Sequence, residues 1–144
     1  MCSNYQPIKN LHANWVKKHF DCDLPMDEWR PETYPTYPAP FIYLDNGKPK
    51  CELARFGLVP YWATDKKKFG LRTYNARSET VHEKPSYRTA WKQRRFGLAI
   101  MESFYEPNWE TGKSQSKCDF THWLLSLLIN SKLLHIQLTM FLIC

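Results

Sequence analysis

The second residue of this 144-residue chain, in the opening MCSNYQPI, is a cysteine. Methionine aminopeptidases remove an initiator Met that precedes a small side chain, which would make Cys2 the N-terminus. The product carries an α-amine and a thiol on adjacent carbons. Their ordinary pKa values, about 7.7–8.0 and about 8.5, leave both nucleophilic forms present near neutrality. Such a 1,2-aminothiol captures an aldehyde first as an imine, which the thiol closes to a stable five-membered thiazolidine. The position alone does not separate that use from an incidental cysteine.

A second group of residues points at a partner. Residues 65–95 hold ten basic side chains (Lys66, Lys67, Lys68, Arg72, Arg77, Lys84, Arg88, Lys92, Arg94 and Arg95) against three acidic ones. That segment therefore carries +7 of a chain whose net charge is +6, and the remainder is close to neutral. Tyr61, Trp62, Phe69, Tyr74, Tyr87 and Trp91 lie in or beside it. Cations that follow phosphates and aromatic faces that stack on unpaired bases are what single-stranded nucleic acid requires. The bland alternative is a solvated basic face beside an unrelated packed core.

Composition narrows the classes further. At this length one domain is the default, and 43% apolar residues with 15% aromatics describe a globular chain. Five cysteines, none closer than twenty positions to the next and none in a CxxC pair, support neither a disulfide framework nor a zinc site. No metal and no cofactor is expected. The N-terminus lacks the apolar core of a signal peptide, with Lys9, Lys17 and Lys18 in its place, so a cytoplasmic address is expected.

The elements that must position these residues follow from periodicity and punctuation. Ile8, Leu11, Trp15, Val16 and Phe20 recur at helical spacing and predict a helix over 8–20. The four prolines of PETYPTYPAP (31–40) predict an extended stretch. FIYL and CELARFGLV flank Asn46-Gly47 and predict a hairpin. TDKKKFG reads as an exposed loop, KPSYRTAWKQRR (84–95) as a short basic helix and FGLAIM (96–101) as a buried strand. Irregular alternation of strands and short helices favours an α+β fold over a doubly wound sheet. After Cys118 the chain becomes rich in leucine and isoleucine, without Gly or Pro. Three readings fit that tail: a membrane span, which Lys132, His135 and Gln137 oppose; a buried strand alternating at Leu134, Ile136, Leu138 and Met140; or a replaced C-terminus, as by a frameshift.

Four segments together resemble one family: MC at the start, ARFGLVPYWA (54–63), YNARSET (74–80) and RRFGLAIMESFYEPNW (94–109). They are similar to the SOS-response-associated peptidase (SRAP) family, the abasic-site processing proteins, over residues 1 to about 117. The start MCSNY departs modestly from the commoner MCGRY. Nothing after Cys118 matches the family's further strands and His motif. The expected organisation is an SRAP-like domain over 1–117 and a divergent apolar tail over 118–144. The resemblance favours replacement as the origin of that tail.

The resemblance implies an α+β fold of mainly antiparallel sheets in an open, barrel-like core flanked by short helices, incomplete at its C-terminal part. It also implies a covalent DNA-repair function in the SOS response to DNA damage: binding of single-stranded DNA and capture of the abasic-site aldehyde as a thiazolidine at the mature N-terminus. Cys2 would be the nucleophile, Asn75 would position it or its adduct, and Glu106 would shuttle protons. Arg77 would clamp a phosphate, Trp62 would offer a stacking face or pack in the core, and Lys66, Lys67, Lys68 and Arg72 would follow the backbone. The family's catalytic His has no matching position, since His122 and His135 lie outside any motif, which implies impaired activity. The implied partner is single-stranded DNA with abasic sites, without a membrane or a small-molecule cofactor. The implied state is a bacterial cytoplasmic monomer, nucleoid-associated when bound to DNA and prone to associate if truncated. The implied enzyme is a thiol enzyme that forms and reverses the crosslink, of peptidase (hydrolase) or lyase class. Two alternatives remain: a Cys-dependent peptidase acting on its own N-terminus, and an impaired single-strand-binding remnant.

Overall fold

The computed structural model describes residues 4–107, 115–119 and 141–142, and for residues 106 onward the backbone alone. Among the described residues two antiparallel sheets form an α+β fold, and neither closes into a barrel. The first joins β1 (Asn4–Pro7), β5 (Met101–Pro107) and β6 (Gln115–Asp119) in the order β1-β5-β6. The second runs β3-β2-β4-β7, from β3 (Lys48–Arg55), β2 (Pro38–Asp45), β4 (Phe96–Ala99) and β7 (Phe141–Leu142). Short helices accompany them at α1 (Ala13–Phe20), α2 (Lys66–Gly70) and α3 (Arg88–Lys92).

The β2–β3 hairpin follows from its turn. Asn46 and Gly47 have φ of 50° and 80°, the primed geometry whose twist matches the flanking strands, and Asp45 pairs with Lys48 across it. Of the proline-rich stretch, Pro38 and Pro40 enter β2, ahead of the Phe41–Tyr43 part that β4 covers. Strand β3 stops at Arg55, short of the expected Val59. Phe56 instead exchanges hydrogen bonds with the Thr36–Tyr37 backbone, and Gly57 turns the chain away at φ 114°.

Three local expectations change for physical reasons. The helix over 8–20 shortens to α1, preceded by a 3₁₀ turn at Asn10–His12, because the Ile8 amide donates to the Ile100 carbonyl and holds the chain in the sheet. Leu11 is consequently exposed and Val16 carries the buried face. TDKKKFG contains a helix, since the Asp65 carboxylate accepts the Lys68 amide at 2.9 Å and caps α2. FGLAIM is neither one strand nor buried. The chain breaks at Ile100, so β4 joins one sheet and β5 the other, and Phe96 and Leu98 face a groove against Phe20 and Leu44, 37% and 45% exposed. The alternating residues of the tail, 134–140, lie outside the described residues.

Among the described residues the core has three buried clusters. Ile8, Val16, Cys22, Ile42 and Cys51 pack α1 on the larger sheet. Leu58, Val81, Tyr87 and Ala90 pack α3 beneath the basic segment. Tyr5, Ala39 and Phe56 bind the two sheets together, with Tyr74, Met101 and Phe104 against them. Among the described residues no helix is long and apolar enough to cross a membrane.

Candidate functional site

Cys2 lies outside the described residues, as does the side chain of Glu106, but the elements next to both are defined. Strand β1 begins at Asn4, two residues after Cys2, and pairs with β5 in the register Asn4↔Tyr105 and Tyr5↔Phe104. Strand β1 thus runs beside the strand whose backbone carries Glu106. Asn4 is buried, and its side-chain amide donates to the Glu32 carboxylate at 2.5 Å. The Gln6 amide donates to the Tyr105 hydroxyl at 3.3 Å, and the Ser103 hydroxyl donates to the Gln6 carbonyl at 3.0 Å. These side-chain bonds add to the main-chain ladder and fix β1 on β5.

An aromatic ladder brings the YNARSET segment to the same place. The Tyr5 ring meets Phe56 edge-on at 5.2 Å, and Phe56 meets Tyr74 at 5.8 Å. Edge-to-face pairs at such spacings are worth about 0.5–1.5 kcal/mol each beyond the area they bury. Tyr5 follows Cys2 by three residues and Tyr74 immediately precedes Asn75, so the ladder couples the two chain segments. Asn75 is half-buried, and its main-chain carbonyl accepts the Tyr87 hydroxyl at 2.9 Å. Two residues earlier the Thr73 hydroxyl is shared between the Leu58 and Phe69 carbonyls, while the Leu58 amide donates to the Thr73 carbonyl. A small cavity of about 30 Å³ lies between these groups, lined by Tyr5, Phe56, Tyr74, Ala76 and Tyr87 among others.

The basic residues sit outside this cluster. Lys66, Lys67 and Lys68 are exposed on α2, and Arg72 and Arg77 are exposed on either side of Asn75. Trp62 is 47% exposed and meets Phe69 of α2 edge-on at 5.1 Å, so it serves packing and surface together. The thiols that are described are unsuited to compete as nucleophiles. Cys22 and Cys51 are free and buried, and burial pushes the Cys51 thiol from 9.0 up to about 11 and raises Cys22 as well. Among the described residues no group of three or more His, Cys, Asp or Glu side chains could hold a metal ion.

The profile of the SOS response associated peptidase (SRAP) family matches residues 1–127. The chain belongs to that family. Among SRAP relatives, the chain is 36% identical over 109 residues to the abasic site processing protein YoqW of Bacillus subtilis, covering 74% of this chain and 47% of the relative. It is 35% identical over 103 residues to the abasic site processing protein YoaM of the same organism, covering 68% and 43%. A crystal structure of a protein from Bordetella bronchiseptica superposes with a TM-score of 0.65 at 28% identity, covering 78% of this chain and 54% of that one. This SRAP chain spans about half the length of the relatives it matches.

Sequence reasoning missed the residues that hold the site's backbone. Tyr87 was legible as an aromatic in the basic segment and as part of its helix, but not as a partner of Asn75, and Thr73 and Glu32 carried no motif. Their signal is a hydrogen bond to a distant segment, which no local pattern displays.

Proposed function

We propose that this chain processes abasic sites in single-stranded DNA by covalent capture at Cys2. The α-amine of the mature N-terminus attacks the ring-opened C1′ aldehyde, and the carbinolamine loses water to give an imine. The Cys2 sulfur then adds to the imine carbon and its proton passes to the nitrogen, closing the thiazolidine. Overall, aldehyde and aminothiol combine with loss of one water. Glu106 is the proton carrier for dehydration, Asn75 orients the N-terminal residue, and Arg77 with Lys66–Lys68 and Arg72 holds the phosphates. The names of the relatives support abasic sites as the substrate. The observation that carries the reading is the cluster Tyr5–Phe56–Tyr74, with the β1–β5 register beside it. It draws the segments next to Cys2, Asn75 and Glu106 into one packed unit.

Incubation with an abasic oligonucleotide, then denaturing electrophoresis and intact mass, tests the proposal. A denaturant-resistant adduct is expected at the summed mass less one water. Cys2→Ala should abolish it and leave noncovalent binding. Cys2→Ser should fail as well, because an oxazolidine hydrolyses readily. An undiminished adduct with Cys2→Ala overturns the nucleophile assignment. Cleaved peptides without any adduct would favour the peptidase alternative.

A further inference from the structure

The turn at Tyr34–Tyr37 is strained, and what the strain holds in place is informative. The Tyr37 amide donates to the Tyr34 carbonyl at 2.9 Å, with Pro35 and Thr36 as the central residues. Thr36 has φ of 79°, the place in a type II turn that ordinarily takes glycine. A β-branched residue there is a genuine outlier, of a kind that costs on the order of 1–3 kcal/mol and concentrates at functional positions. Its methyl group supplies a reason for its presence. Thr36 Cγ2 lies 3.0 Å from where a Cβ on Gly70 would stand, so the turn packs on the bare backbone at the end of α2. Three main-chain acceptors reinforce it: the Thr36 amide donates to Phe56, the Phe56 amide to Tyr37, and the Arg55 guanidinium to the Thr36 carbonyl.

The turn therefore presents a rigid pair of rings. Tyr34 and Tyr37 stand edge to face at 6.0 Å, with Tyr34 45% exposed, and the exposed Arg30 guanidinium lies 4.5 Å over the Tyr37 ring. On one side the turn abuts the helix of Lys66–Lys68. On the other, Thr33 and Tyr5 exchange amide–carbonyl bonds of 2.8 and 3.1 Å, tying it to the N-terminal strand. Partial desolvation and the Glu32 carboxylate raise the Tyr34 phenol, so the ring stays neutral beside a polyanion.

We propose that Arg30, Tyr34 and Tyr37 form a nucleotide-stacking site for single-stranded DNA, lying between the α2 lysines and the N-terminal strand. Tyr34 offers a base its ring face, and the Arg30 guanidinium takes the adjoining phosphate. The site rests on the reading that the chain binds single-stranded DNA, and it adds contacts outside the basic 65–95 segment.

The test is binding of the full chain to a labelled oligothymidylate and to a baseless strand of the same length, across a salt series. Tyr34→Ala and Tyr34→Leu should weaken oligothymidylate binding about 5- to 150-fold, the range of one lost base stack. Tyr34→Phe should bind like the parent. On the baseless strand all four should bind alike, since there is nothing to stack. Arg30→Gln should reduce the salt slope by about 0.7, one phosphate on a single strand. Parent-like binding by Tyr34→Ala, a loss with Tyr34→Phe, or a penalty persisting on the baseless strand would each overturn the site. A parent that binds neither strand overturns the single-strand reading itself, and the site with it.

Discussion

The hydroxyl of Tyr87 donates to the main-chain carbonyl of Asn75 at 2.9 Å, across twelve residues. Tyr87 is buried among Leu58, Val81 and Ala90, and burial raises its phenol, so it remains a donor throughout the neutral range. The packed segment ahead of α3 thereby fixes the backbone at Asn75. Tyr87→Phe preserves the ring and deletes the donor. Deleting this one hydrogen bond costs about 0.5–1.5 kcal/mol, measurable by urea unfolding. Loss of positioning should slow adduct formation about tenfold or more. In an Asn75→Ala background the same substitution should add little to the kinetic defect. Equal rate losses in both backgrounds would show that Tyr87 does not act through Asn75.

Buried Cys51 predicts a pH dependence of stability. Its thiol titrates near 9.0 when unfolded and at about 11 when folded. Between those values the native state keeps a proton that the unfolded state has lost. Stability is therefore fully present below about pH 9 and declines as the pH rises toward 11. Cys22, raised by burial too, contributes in the same direction. Urea midpoints from pH 8 upward should fall in the parent and fall less steeply in Cys51→Ala, whatever that variant's starting stability.

Gly57 tests the seam between β3 and α2. Its φ is 114°, and an added Cβ would stand 2.7 Å from the Gly70 carbonyl oxygen, a backbone atom that cannot move aside cheaply. Gly57→Ala combines a disallowed backbone with overpacking and should destabilise by about 2–4 kcal/mol. A melting temperature equal to the parent's would show that the seam is loose.

Salt should govern noncovalent binding. With about three to five phosphates engaged, log affinity should fall against log salt with a slope of roughly −2 to −3.5. Replacing Lys66, Lys67 and Lys68 by Gln should flatten that slope, because all three are exposed on α2. A flat response in the parent would refute the electrostatic reading.

Where structure follows from neighbours in the chain, the sequence alone was sufficient. Asn46-Gly47 between two apolar runs dictates the hairpin, because few residues tolerate two successive positive φ values. The YNARSET and MC segments point to the family, and the proposed aminothiol chemistry needs only the residue type at position 2. Tertiary contacts decided the rest. The run from Phe96 to Pro107 looks uniform, yet it divides at Ile100 because β2 and β1 claim its two halves for different sheets. Helix α2 is five residues long, too short to show a period, and depends on the Asp65 cap. The strained Thr36 makes sense only beside Gly70, thirty-four residues away. Asn75 is held by Tyr87, and nothing in the local pattern around either residue names the other. Such partners are chosen by which surfaces meet when the sheets pack, which a linear pattern does not encode.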